Sequence, residues 1–378
     1  MFHEFFLRGD VLQIKKEITD FFHKELPEKD IFLVNRFPLD FWKRMGKAGL
    51  LGLNLPREYG GREYSDVAMI FGGEELIRRG ASIGFVLSWV LHHVLSKKLI
   101  LEHGDSQQKS KYLSDFAKGE KTAALAFGEK NAQGSLSGMK SFAEKAGENF
   151  RLKARKDFIT NGGIADYFVL CLRDNEEKSP DNITAFIVER DEVNSFSLME
   201  YRYLLPSLHY SIEIDSLQVS KERIIGSKGK AHSEMLKPMR LTEDIYMAGP
   251  ILGCFSLLLE ILKDRVYRDN LEISFENQGV FGGLLIQLEN LRLLAYSLAE
   301  ASDNQEIFNL LYERIFLSFR NGCSRFLTDY EDLLSVLEIK PETDHEFLLE
   351  GGRTILSIAK GLMRSKQSRL GKDYLVRS

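Results

Sequence analysis

The residues best placed to do chemistry sit in one run, Lys156 to Asp166, KDFITNGGIAD. An aromatic, a β-branched pair and a glycine-rich reversal follow one another there. Asn-Gly after a β-like run is a common hairpin signal. The same run could instead face a flat cofactor with its Thr and its exposed backbone. An apolar ring face needs an aromatic or aliphatic lid, and its polar edge needs one or two fixed donors. Phe158, Ile159 and Thr160 offer both, and Asn161-Gly162-Gly163 offers a tight reversal.

Other chemistry-bearing types are sparse. His92 and His93 are adjacent, so they cannot share one helix face; core or surface histidines are expected there rather than a metal pair. The three cysteines, Cys171, Cys254 and Cys323, are far apart. That spacing argues for a reducing compartment and against a disulfide framework or zinc site. No Gly-x-Gly-x-x-Gly follows a strand, and Walker A, HExxH and Gly-x-Ser-x-Gly motifs are missing. A net charge of −4 gives no electrostatic case for nucleic acid. A basic cluster, Met363 to Arg377, reads as a solvated terminal helix, although such a helix could also meet a phosphate-bearing ligand. The N-terminal MFHEFFLRGDVLQIKK has neither a basic start nor a long apolar run, so the expected location is the cytosol.

The elements that must position these residues fall into three segments, 1–118, 119–226 and 227–378. In the first, Val11, Ile14, Ile18 and Phe21-Phe22 form one helical stripe. The long apolar stretch from Val67 to Gly104 is interrupted by polar groups and predicts a buried helix pair. From about residue 119 the texture becomes short β-branched or aromatic runs bounded by Gly, Asn, Asp and Pro, which predicts an antiparallel, barrel-like β-domain. In HYSIEIDSLQV, Ile212, Ile214, Leu217 and Val219 predict an inward face with a shift between Ile214 and Leu217. After that the helical period returns over four or five amphipathic helices, enough for a bundle of the four-helix type. The fold class is therefore mainly α with a central β-domain. With 44% hydrophobic residues in 378, the chain can bury a substantial core.

Helical domain, β-domain and bundle in that order resemble the acyl-CoA dehydrogenases. Four blocks carry the resemblance: MGKAGLLGLNLPREYGG (Met45 to Gly61), ILEHGDSQQKSKYLSDFAKGEKTAALAF (Ile100 to Phe127), GMKSFAEKAGENFRLKARKDFITNGGIADYFVL (Gly138 to Leu170) and LHYSIEIDSLQVSKERIIG (Leu208 to Gly226). The resemblance implies an FAD-dependent α,β-dehydrogenation of an acyl thioester, either acyl-CoA or carrier-bound acyl. Phe158 would then lie on the flavin and Thr160 near its N5 edge. Phe127, Gly134, Ser135 and Ile159 would complete the cofactor side in the β-domain, and Arg268 and Gln278 would serve the FAD pyrophosphate from the bundle. It also implies a homodimer or homotetramer and an electron-transfer flavoprotein as electron acceptor.

The reaction needs a carboxylate of raised proton affinity in a dry pocket to take the α-proton. Two registers supply different candidates. LTEDIYMAGPILG resembles the subset of the family whose base lies early in the first bundle helix and places Glu243 there. LLEGGRTI offers Glu350-Gly351-Gly352 as a looser match to the usual C-terminal triplet. Glu243 is favoured and Glu350 held in reserve. Without such a role, Glu243 would be a helix acid near an N-terminus, and Glu350 a surface acid before a Gly-Gly break. The sequence also departs from the family pattern. Gly128 and Lys130 stand at positions usually held by Thr and Pro, Leu136 stands for Asp, and Arg268 is displaced by one. Losing an Arg-to-phosphate contact costs about 1.5–3 kcal/mol. These departures leave a second reading open, a catalytically degenerate subunit with weak or no FAD binding in a hetero-oligomer.

Overall fold

The computed structural model describes residues 9–26, 36–132, 136–174, 182–302, 305–358 and 360–376. The stripe predicted near the N-terminus folds as α1 (Gly9–Glu25), with Val11, Ile14, Ile18, Phe21 and Phe22 buried. Four helices follow: α2 (Leu39–Lys47), α3 (Asp66–Arg78), α4 (Ile83–Leu95) and α5 (Ser106–Ala117). Capping is by sequence rule. The Ser65 hydroxyl accepts from Ala68 N at the start of α3, and Asp105 with Gln108 forms a capping box on α5.

The strands are β1 (Ala123–Ala126), β2 (Phe142–Ala146), β3 (Asn149–Ile159), β4 (Tyr167–Arg173), β5 (Ile183–Glu189), β6 (Ser195–Met199), β7 (His209–Val219) and β8 (Ile224–Ile225). Their order in the sheet is β6-β7-β3-β2-β4-β5-β8, with β1 beside β4. The pairing is mostly antiparallel, but β1 runs parallel to β4. The hairpin reading of Asn161-Gly162 does not hold. The strand β3 pairs with β2 and β7, and the strand after the turn, β4, pairs with β5 instead. The segment is a crossover, and its conformation answers to neighbours other than a hairpin partner. The expected shift in β7 is present, because Leu152 pairs with Leu217 while Ala154 pairs with Ile214. A second shift lies between Lys156 and Ile159, on the β3 side.

The remaining helices are α6 (Lys237–Tyr246), α7 (Ala248–Arg268), α8 (Phe275–Ala301), α9 (Gln305–Val336), α10 (Thr343–Ser357) and α11 (Lys360–Val376). The Gly-Gly break expected after Glu350 is missing, because Gly351 and Gly352 lie buried inside α10. A Cβ at Gly352 would stand 3.4 Å from Cys254 Sγ, an ordinary packing contact with α7, so the pair continues the helix rather than reversing the chain.

The chain forms two compact units that interleave the three sequence segments. One comprises 1–32, 65–83 and 245–378; the other comprises 33–64 and 84–244. In the first unit α3 is buried from Val67 to Ile77 and lies against α7. Glycine permits the approach: a Cβ on Gly253 would lie 2.7 Å from Glu74 O. The Glu74 carboxylate is buried there, accepting from Arg292 Nε at 3.1 Å, Ser256 Oγ at 3.2 Å and Tyr296 Oη at 3.2 Å. A buried charge is tolerated only when paired and bonded in this way.

In the second unit one face of the sheet closes over Phe150, Leu152, Ile159, Phe168, Phe186, Ile212 and Ile214. Beside it, α4 contributes Trp89, whose Nε1 donates to Leu50 O at 2.8 Å. His92 and His93 are core residues, bonded to Phe116 O and Trp89 O respectively. Burial pushes their ring pKa values down to about 4 and about 3. Two helical stretches, Ile83–Leu101 and Ala231–Arg268, are long and apolar enough to cross a membrane, yet 83% and 78% of them is buried within the protein.

Candidate active site

The strand β3 alternates buried and exposed residues as far as Arg155 and then breaks step. One extra residue enters the ladder between Lys156 and Ile159, so Lys156 and Asp157 are both buried while Phe158 turns outward. Phe158 adopts φ +61° and Asn161 φ +64°, both in the left-handed region. That region is costly for a bulky side chain and is kept only where neighbours impose it.

Several neighbours do so. The Phe158 N–H donates to Met199 Sδ at 3.4 Å, and Ser211 Oγ, whose one proton goes to a carboxylate, lies 3.3 Å from the same sulfur. Ser211 Oγ donates to Asp157 Oδ1 at 2.6 Å, while Asp157 Oδ2 accepts from Lys130 N at 2.7 Å. The Arg190 guanidinium donates to the carbonyls of Gly162 and Ala165. Asn161 Nδ2 donates to Ser88 O in α4. Tyr210 covers the glycines; a Cβ on Gly162 or Gly163 would lie 2.8 Å from it. The result is an aromatic ring 46% exposed beside a buried Ile159 and a half-buried Thr160.

Underneath lies a buried pair. Lys156 Nζ donates to Glu129 Oε1 at 2.8 Å and to Phe127 O at 3.1 Å. Burial presses the Lys156 ammonium below its usual range, and Glu129 opposes this. Burial would raise Glu129, but Lys156 and the Lys140 N–H outweigh it and hold the carboxyl low. Phe127 is therefore tied by its backbone to the flank of the exposed ring. Gly128 follows it, where a Cβ would stand 3.7 Å from Phe158 Cδ2, so one side of that ring is left clear.

Glu243 lies on α6 in the same unit. Its side chain is 17% exposed and its Oε1 is 3.3 Å from Arg240 Nη1. Arg240 also pairs with Asp244 at 3.1 Å. Burial raises the Glu243 pKa above the ordinary carboxylate range; Arg240 pulls it down and Asp244 pushes it up.

The other expected residues have different surroundings. Arg268 closes α7 in the first unit, with Nη2 2.7 Å from Glu342 and Nε 3.2 Å from Asp269. Gln278 Nε2 donates to the backbone of Ile273. Glu350 sits mid-helix in α10, paired with Arg353, which also binds Glu331. Gly134 and Ser135 lie outside the described residues. Phe127, Phe158, Ile159 and Thr160 are brought together, and the second unit also contains Glu243. Met199, His209, Ser211, Lys156 and Arg190, which hold the turn, were not legible as site residues. Their types are ordinary for strands, and only the register between β3, β6 and β7 reveals what they face.

The family "Acyl-CoA dehydrogenase, N-terminal domain" matches residues 10–120, and "Acyl-CoA dehydrogenase, middle domain" matches residues 124–202. The chain is 29% identical to the short-chain specific acyl-CoA dehydrogenase of Clostridium acetobutylicum, over 76% of this chain and 77% of that protein. It is 30% identical to the mitochondrial isovaleryl-CoA dehydrogenase of Oryza sativa subsp. japonica, over 72% of this chain and 68% of the relative. Among solved structures, butyryl-CoA dehydrogenase from Megasphaera elsdenii superposes with a TM-score of 0.77 at 21% identity, covering 98% of this chain and 99% of that one. The chain belongs to the acyl-CoA dehydrogenase family.

Proposed function

We propose that the protein is an FAD-dependent dehydrogenase that converts an acyl thioester, acyl-CoA or carrier-bound, to the enoyl thioester, with Glu243 as the base. One observation carries this reading: burial raises the proton affinity of Glu243, in the unit that also holds the exposed Phe158 ring and Thr160. The groups around Phe158 fit a flavin, because the ring is exposed, its flank at Gly128 is clear, and a hydroxyl stands two residues on. FAD, when bound, supplies a two-electron acceptor for the hydride that leaves Cβ. Glu243 takes the α-proton. A carboxylate that prefers its protonated form is matched to an acid as weak as a thioester α-carbon. Phe158 would hold one face of the flavin ring, and Thr160 would hold its edge.

The expected electron acceptor is an electron-transfer flavoprotein, and the expected location is the cytoplasm. A homodimer or homotetramer is supported by α8, which leaves the large apolar side chains of Phe275, Val280, Leu285 and Ile286 exposed. Glu350 stays as the reserve base.

A degenerate, flavin-poor subunit is favoured by a different observation. Arg268 is engaged with Glu342 and Asp269, two carboxylates that compete with a pyrophosphate for its guanidinium. The two readings part on the absorbance spectrum of the purified chain. Yellow protein bleached by an acyl-CoA supports the dehydrogenase. Colourless protein that takes up no added FAD supports the degenerate subunit.

A further inference from the structure

The strand pair β6–β7 presents alternate residues to the turn after β3. Met199 pairs with His209 in that ladder, and Ser211 lies two residues further along the same face. Met199 holds the Phe158 N–H, and Ser211 holds Asp157. His209 completes the series. Its Nε2 is 3.0 Å from Thr160 Oγ1, and its ring stands edge-on to Tyr201 with centroids 5.0 Å apart. The His209 ring is 7% exposed.

We infer that His209 is a positioning residue for the cofactor: through Nε2 it fixes the rotamer and hydroxyl direction of Thr160, and thereby the hydrogen bond that Thr160 presents to the flavin edge. The inference rests on the FAD reading above.

A free threonine hydroxyl rotates and can donate or accept in several directions. A buried partner at hydrogen-bond distance removes that freedom, and pre-set groups at a reacting edge cost no reorganisation when charge moves. Burial lowers the His209 pKa, which favours the neutral ring, and the tautomer of that ring sets whether Nε2 donates to the Thr160 hydroxyl or accepts from it. Nothing in the motif Phe-Ile-Thr announces this partner, because His209 is 49 residues away in sequence.

The test is a double-mutant cycle on the flavin-loaded protein, using Thr160→Val, Leu at His209 (H209L) and the conservative His209→Gln. The readouts are the dissociation constant for FAD, the flavin midpoint potential and the visible spectrum. H209L is expected to weaken FAD by about three- to tenfold, the worth of one hydrogen bond, and to move the potential in the same direction as Thr160→Val. The double variant should add nothing to the larger single effect, and H209Q should recover more than half of both changes. Wild-type potential and affinity in H209L, or strictly additive effects in the double variant, overturn the inference and leave the FAD reading intact. A wild-type chain that takes up no FAD overturns both.

Discussion

Glu243 is held between opposing influences: burial favours its neutral form, and Arg240 favours its anion. If it is the base, Gln at this position should lower kcat by about 10²–10⁴-fold, the usual worth of a positioned acid–base group, while the protein keeps its flavin colour. Unchanged turnover moves the role to Glu350. The pH profile gives a sharper check. A raised pKa places the acid limb of kcat/KM above the range of an ordinary carboxylate. Arg240→Met removes the influence that lowers Glu243, so the limb should move to still higher pH. Phe158 tests the cofactor side of the proposal. Its ring is exposed and its backbone left-handed, so Phe158→Ala should shift stability by no more than about 0.5 kcal/mol, as for surface residues generally. A ring kept for a cofactor then reveals itself as lost FAD affinity in a chain whose melting temperature barely changes.

At the scale of elements, the sequence told more about faces than about partners. Alternation in β7 announced the inward Ile212 and Ile214 and even the shift before Leu217, because period two is a local property. The fate of Asn161-Gly162 was not local. A hairpin and a crossover share the same turn residues, and the strands β2 and β7 that take both edges of β3 decide between them. Gly351-Gly352 misled for a related reason. Two glycines read as a helix stop, but here they lie buried inside α10, next to α7. The flavin-face residues were visible as a motif, whereas their supports belonged to strands whose register no single segment encodes. Gly84 shows how far such support extends. A Cβ there would lie 1.8 Å from Leu204 O, in the segment that leads into β7. Gly84→Ala should therefore destabilise the fold by about 1–3 kcal/mol through overpacking, read as a lower denaturant midpoint, and should loosen FAD in parallel.

For the whole molecule, buried histidines limit stability in acid; burial lowers His209 and His345 as well, and His92 and His93 show the effect plainly. Unfolded histidines take protons near 6.5, but the folded rings of His92 and His93 resist until about 4 and about 3. The unfolded chain therefore binds more protons in between. Stability is complete above about pH 6.5 and falls as pH drops toward 4, by about 1.4 kcal/mol per pH unit for each ring that has not yet titrated. Melting temperatures at pH 7 and pH 5 should show this slope, and His93→Asn should flatten it. Assembly can be read from light scattering. Ile286→Glu places a charge at an exposed apolar position of α8 and should shift the mass toward smaller species; a native chain that is already monomeric would contradict the proposed oligomer. The interleaving of the two units also bears on how the protein is made. Glu74 of α3 and Ser256 of α7 are 182 residues apart. At about 5–20 residues per second of synthesis, α3 leaves the ribosome roughly ten to forty seconds before the helix that covers it. Throughout that interval α3 has α1 beside it but lacks α7, so the side of it that α7 later buries stands open, an invitation to chaperones that a chain built of successive, self-contained domains would not extend.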